Sequence, residues 1–380
     1  MRVDGQSFSD KPRIHTPNHR FLPFKRPIAL LCHSLNSLLD FRYENGTYDD
    51  AADLVTTNHQ NSIKHTIWPE RVKLISLPGQ PARESATREF FTVNTKELAN
   101  TGVMLPELAL GTWQYRGGVE PLLAGIELGA SLVDTAESYG TEEVVGQAIH
   151  GIRDKVFLAT KASPRHFRRS DLIQAAEQSL KRLNTDYIDL YQLHWPNYSV
   201  PIGETMGAME ELVKAGKIRF IGVSNFSAKE IDGAQRCLSG SRIVSNQVRY
   251  SLVDRTIEDG LLQYCEAKKI TVLAFSPLDT ALENLSNFDQ DDVLGTVAGE
   301  IGKTRAQVAL NWCLCRRPVI AIFKSDRVEH VRENCGASGW RLLPDHLEDL
   351  SHVAFRRRGP VARCARRLAR GILQRLGRNV

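Results

Sequence analysis

A closed (β/α)8 barrel, the TIM-barrel class, is the fold this sequence predicts, on three observations. Between about residue 92 and residue 355, short β-rich runs alternate with helix-length amphipathic segments, a pattern that builds parallel βαβ units. Eight such runs occur, over roughly the 250 residues that an eight-unit barrel needs. A doubly wound open sheet would want a glycine-rich GxGxxG loop after its first strand, and the chain has none.

The strands are expected, in order, at Leu108–Gly111, Ser131–Asp134, Val156–Thr160, Tyr187–Leu193, Phe220–Val223, Ile243–Asn246, Ile270–Phe275 and Val319–Ile322. Amphipathic helical patterns separate them, as at Asp171–Leu183, Glu204–Ala215 and Ile257–Lys268. Residues 1–91 show neither helical nor strand periodicity and intersperse proline, histidine, asparagine and charge. They are expected to be a disordered or poorly packed extension, or the product of an upstream start with the protein proper beginning near Phe91. Residues 356–380 form a basic tail with nine arginines and no acid. Leu368, Ile372 and Leu376 recur every four residues there, so a helix would be amphipathic. It would lie on the barrel or touch an anionic surface.

The totals exclude several classes. The chain has 380 residues, 42% of them apolar, which is enough for a sizeable core. Its net charge of +5 is mild, so no nucleic-acid partner is expected. Seven scattered cysteines without a CxxC pair indicate neither a zinc site nor a disulfide framework. They fit a reducing, cytoplasmic compartment. No apolar run approaches the roughly 18 residues of a membrane span, and the apolar stretch Pro27–Leu39 is broken by His33, Ser34, Asn36 and Ser37.

Active residues of such a barrel sit at the C-terminal ends of its strands. The second expected strand leads into LVDTAESYG, with Asp134 at its end and Tyr139 in the loop. The third ends in ATK at Lys161, and the fourth in QLHWP with His194 at its edge. Each residue alone has an ordinary structural reading, such as a helix cap for Asp134. Together they bring a carboxylate, a phenol, an ammonium and an imidazole to one rim. A phenol, with a pKa of about 10, is a proton donor at neutral pH. A lysine ammonium beside it eases release of that proton. A carboxylate would hold the lysine, and a histidine would orient a carbonyl oxygen. This is general acid catalysis on a carbonyl. It lacks an electron source, so a hydride-donating cofactor is implied.

From about Thr92 to Leu350 the chain resembles the aldo-keto reductase superfamily. The resemblance rests on LGTW, DTAESYG, ATK, QLHWP, IGVSNF, SNQ, FSPL, KS and EN, in that order and spacing. It implies Tyr139 as the general acid, tuned by Lys161 and Asp134, with His194 orienting the substrate. It places Gly111, Thr112 and Trp113 by the cofactor, and Ser224, Asn225 and Gln247 on the nicotinamide carboxamide. Phe275 would stack on the nicotinamide, with Ser276, Pro277 and Leu278 around the pyrophosphate. Lys324 and Ser325 would face the adenosine 2′-phosphate, and Glu333 and Asn334 the adenine. Trp113 and Trp195 would wall the substrate pocket.

Two positions depart from the family's pattern. Phe323 replaces the usual proline before Lys324, and His330 replaces the arginine that many members set against the 2′-phosphate. Neutral histidine does not fork onto phosphate as arginine does, and Arg327 would substitute from nearby. The implied cofactor is NADPH, with NADH as the alternative, and the implied substrate is a small carbonyl compound. The chain also resembles the potassium-channel β-subunit branch, which implies as a second reading a redox-sensing or partner-binding module on the same barrel.

Overall fold

The computed structural model describes residues 93–278, 289 and 291–353. The N-terminal extension and the basic tail expected from the sequence lie outside these residues.

A two-stranded hairpin comes first, β1 (Thr95–Glu97) paired antiparallel with β2 (Met104–Pro106). The barrel strands are β3 (Leu108–Gly111), β4 (Leu132–Asp134), β5 (Phe157–Ala162), β6 (Ile188–Leu193), β7 (Ile218–Ser224), β8 (Ile243–Arg249), β9 (Thr271–Phe275) and β10 (Val319–Phe323). All pair in parallel, and β10 closes onto β3. Between them run α1 (Glu120–Glu127), α2 (Glu142–Ile149), α3 (Arg169–Leu183), α4 (Ile202–Lys214), α5 (Ala228–Gln235), α6 (Leu261–Ala267), α7 (Val293–Glu300) and α8 (Arg305–Leu314). Two helices follow β10, α9 (Val328–Cys335) and α10 (Pro344–Ser351). The eight expected strands are all present, with ends shifted by up to a few residues. The third expected helix breaks into a short 3-10 turn at Thr256–Glu258 and α6, with the left-handed Gly260 (φ 102°) between them.

The side-chain alternation of the strands sorts the core into two layers. Residues facing outward, such as Leu108, Val133, Leu158 and Tyr191, pack against the helices. Residues facing inward, such as Ala109, Leu132, Ala159, Leu190, Leu273 and Ile320, fill the barrel. Leu98 and Leu105 of the hairpin segment are fully buried and join this inner cluster. The hairpin therefore plugs the barrel's N-terminal end with hydrocarbon. Lys96 fastens it from below, donating to the carbonyls of Leu314, Arg316 and Val319 at 2.7–3.0 Å.

Candidate active site

The same alternation sets which side chains cap the inner core. Two residues beyond Leu132 stands Asp134, two beyond Ala159 stands Lys161, and two beyond Leu190 stands Gln192. All face the barrel axis just above the apolar layer. Strand register holds them side by side: Asp134 lies opposite Gly111 and Ala159, Lys161 opposite Gln192, and Ser224 opposite Gln247.

Lys161 is fully buried, so it does not reach water as a strand-end lysine usually does. Its ammonium donates to Asp134 Oδ2 at 2.7 Å, to the Thr135 carbonyl at 2.8 Å and to Tyr139 Oη at 3.3 Å. Burial works to lower its pKa, but the Asp134 carboxylate beside it holds it above the usual lysine value. The other oxygen of Asp134 accepts from Gln247 Nε2 at 2.8 Å and from Gln192 Nε2 at 3.2 Å.

Tyr139 ends a 3-10 turn, Glu137–Tyr139, that closes on the left-handed Gly140 (φ 69°). Glu137 anchors this turn across the rim. Its carboxylate accepts from the backbone N–H of Ser163 and from His166 Nδ1 at 3.0 Å. Tyr139 Oη lies 3.3 Å from His194 Nε2. Burial pushes the phenol's pKa up, Lys161 opposes this, and the Asp134 charge adds to it. The phenol thus keeps its proton throughout neutral pH. His194 is placed through its backbone, donating to the Ala162 carbonyl at 3.0 Å and accepting from Asn225 Nδ2 at 3.2 Å. The Trp195 ring lies near parallel to the imidazole at 6.5 Å. Trp113 stands 43% exposed at the same end of the barrel.

The structure brings Asp134, Tyr139, Lys161 and His194 into one connected group, as the sequence led one to expect. The other expected residues surround it. Thr112 is buried, and its backbone N–H and hydroxyl both donate to the Asp134 carbonyl. A side chain at Gly111 would force Ile322 to shift, since a Cβ there would stand 2.8 Å from Ile322 Cγ2. Ser224 Oγ donates to the Gln247 carbonyl at 2.9 Å. Asn225 takes a left-handed φ of 63°, and Ser276 one of 51° directly after Phe275, so the chain turns sharply at both strand ends. Pro277 is buried, and Leu278 packs on the outer core.

The residues after β10 carry charges of both signs. Lys324 is exposed and pairs with Asp326 at 2.9 Å, and Asp326 also accepts from the Arg116 N–H at 2.9 Å. Ser325 Oγ bonds the backbone of Arg327. Arg327 is the N-cap of α9 and lies 3.6 Å from Glu329. His330 is exposed, Glu333 half-buried and Asn334 buried along α9. A lysine, an arginine and a helix N-terminus beyond the last barrel strand suit a phosphate. Among the described residues no cluster suited to a metal ion occurs, and no helix is long and apolar enough to cross a membrane.

Strand ends bearing this group also identify the chain's kin. The sequence profile of the aldo/keto reductase family matches residues 107–353. The chain belongs to the aldo/keto reductase family. It is an oxidoreductase that reduces carbonyl groups with a nicotinamide cofactor. It is 41% identical over 242 residues to the methylglyoxal reductase YeaE of Escherichia coli, covering 61% of this chain and 85% of that protein. It is 42% identical over 309 residues to the aldo-keto reductase YhdN of Bacillus subtilis, covering 67% and 92%. Among solved structures, an aldo-keto reductase from Klebsiella pneumoniae in complex with NADPH superposes with a TM-score of 0.65 at 37% identity, covering 70% of this chain and 97% of that one.

Sequence reasoning did not assign Gln192, Glu137, His166 or Asp326. Gln192 was within reach, because it continues the inward alternation from Leu190. The others act through pairings between distant loops, which leave no local pattern.

Proposed function

We propose that this reductase converts an aldehyde or ketone to the alcohol with NADPH, and that Tyr139 donates the proton. The observation that carries this is the unbroken contact from Asp134 through Lys161 to Tyr139, with His194 beside the phenol. Oη of Tyr139 and Nε2 of His194 are close enough to meet one carbonyl oxygen between them. His194 orients that oxygen, and Tyr139 protonates it as negative charge develops. Lys161 stabilises the phenolate left behind, and Asp134 keeps the ammonium charged in a site shut off from water. NADPH supplies the hydride when bound.

The donor set supports that nucleotide. Ser224, Asn225 and Gln247 offer hydrogen-bonding groups at neighbouring strand ends, where a carboxamide needs donors and acceptors together. Phe275 offers a flat apolar face beside them. Lys324, Arg327 and the start of α9 supply the positive charge that a 2′-phosphate requires. We further propose that the substrates are small α-oxoaldehydes of the kind named for the Escherichia coli relative, walled by Trp113 and Trp195.

Fluorescence titration with NADPH and NADH, followed by an aldehyde and ketone panel including methylglyoxal, tests this. Tyr139→Phe should keep nucleotide affinity and lose turnover by several orders of magnitude. Wild-type turnover in that variant would sink the assignment.

A further inference from the structure

Gln192 has no part in the reaction as described so far. We propose that Gln192 is a positioning residue for carbonyl reduction, whose side-chain amide fixes Asp134 Oδ1 so that Oδ2 stays on Lys161. The proposal rests on the assignment of Asp134, Lys161 and Tyr139 to the reaction.

Three observations carry it. First, an ionised carboxylate only accepts hydrogen bonds, so the Gln192 amide must turn its nitrogen toward Asp134. Its own oxygen is then left, fully buried, without a hydrogen-bond partner among the described residues. A leucine would fill similar space without stranding a buried acceptor, so packing alone does not account for a glutamine. Second, β7 makes room for it. A Cβ on Gly222 would come within 2.9 Å of Gln192 Cγ and 2.5 Å of Ser245 Oγ, and Gly222 lies opposite Gln192 in register. Third, among the described residues Asp134 Oδ1 has one other side-chain donor, Gln247, whose proposed work on the cofactor competes for the same amide. Gln192 stands two residues before His194 on β6, and among the described residues its amide nitrogen donates to Asp134.

The charged and titratable groups around this network come from several strands. Asp134 stands on β4, Lys161 on β5, His194 beyond β6 and Arg249 at the end of β8. Glu137, on the turn bearing Tyr139, is engaged by Ser163 and His166. Lys324 beyond β10 is engaged by Asp326. Asp134 raises the pKa of both Lys161 and Tyr139. A carboxylate freed from Gln192 shifts off Lys161 and weakens both effects, so both groups lose their protons at lower pH.

The test uses Gln192→Leu and Gln192→Met, which keep the volume and remove the donor. The full-length protein is assayed with NADPH and methylglyoxal from neutral pH to about pH 11. The expected result is a fall in kcat of about tenfold, the rate loss of one hydrogen bond to a charged group. The alkaline limb should move down by roughly half a unit or more. NADPH affinity by fluorescence should stay within about twofold, since the proposal gives the fully buried Gln192 no contact with the nucleotide. A limb that stays in place in both variants, with or without a lower kcat, overturns the proposal and leaves Gln192 a packing residue. Tyr139→Phe, assayed in parallel, separates the two failures. If it remains active, the underlying assignment is wrong; if it is inactive and the Gln192 profiles match wild type, only the positioning role fails.

Discussion

Replacing Lys161 with methionine should separate what the buried pair does for folding from what it does for chemistry. The side chain is fully buried, and Asp134 is 3% exposed. The substitution leaves the carboxylate inside the barrel with two amides and no cation. Breaking a buried ion pair from one side costs about 3–5 kcal/mol. A domain of this size loses roughly 2–4 °C of Tm per kcal/mol, so melting should fall by about 6–20 °C. Thermal melts at neutral pH, read by circular dichroism, give the measurement. A variant that melts with wild type at neutral pH would refute the reasoning, because it would mean that Asp134 is not charged or not enclosed. Turnover should be lost at every pH, since the phenolate of Tyr139 then has no cation beside it.

Three further outcomes follow from other parts of the molecule. Lys324→Ala should weaken NADPH by about tenfold or more and NADH little, as seen by fluorescence titration; equal weakening would remove the lysine from the 2′-phosphate. Leu98→Ala opens a cavity in the barrel plug, and a buried leucine truncation costs about 2–5 kcal/mol, seen in denaturant midpoints with the steady-state constants little changed. On the alkaline side, Tyr139 and Lys161 both have folded pKa values above their ordinary 10.0 and 10.5. Above about pH 10 the unfolded chain therefore releases protons that the folded chain keeps, and stability falls with rising pH. Tyr139→Phe should flatten part of that slope, as chemical denaturation at a series of alkaline pH values would show.

The barrel and the clustering of Asp134, Tyr139, Lys161 and His194 were legible because both follow from local rules. Alternation of apolar runs with helical patterns marks the strands, and a barrel works at the C-terminal ends of its strands. Asp134, Lys161 and His194 sit where those two rules meet. The hairpin of β1 and β2 was not legible. Its strands are three residues each, too short to show a period, and its task of closing the barrel depends on what lies above it. The links from Glu137 to His166 and from Asp326 to Arg116 were hidden for a related reason. Each joins loops that only the closed barrel brings together. Gln192 stands between these cases, since its inward direction was readable from Leu190 while its partner Asp134 is 58 residues away.

A buried carboxylate and ammonium are an expensive way to fill a barrel, and that expense bears on why they are there. Asp134→Leu combined with Lys161→Met replaces the pair by hydrocarbon, and such exchanges elsewhere are neutral or stabilising by about 1–4 kcal/mol. Here the gain meets an opposing cost. Gln192 and Gln247 both donate to Asp134 Oδ1, and the exchange orphans both amides at about 1–3 kcal/mol each. The two effects are of similar size, so the double variant should melt near wild type and well above Lys161→Met alone, yet be inactive. Adding Gln192→Leu removes one orphan and should raise the melting temperature further. If the double variant melts as low as the single one, the loss in Lys161→Met comes from disturbed packing and not from the stranded charge. If it melts near wild type without turnover, the pair adds nothing net to folding. Its presence in the barrel is then explained by the chemistry at Tyr139.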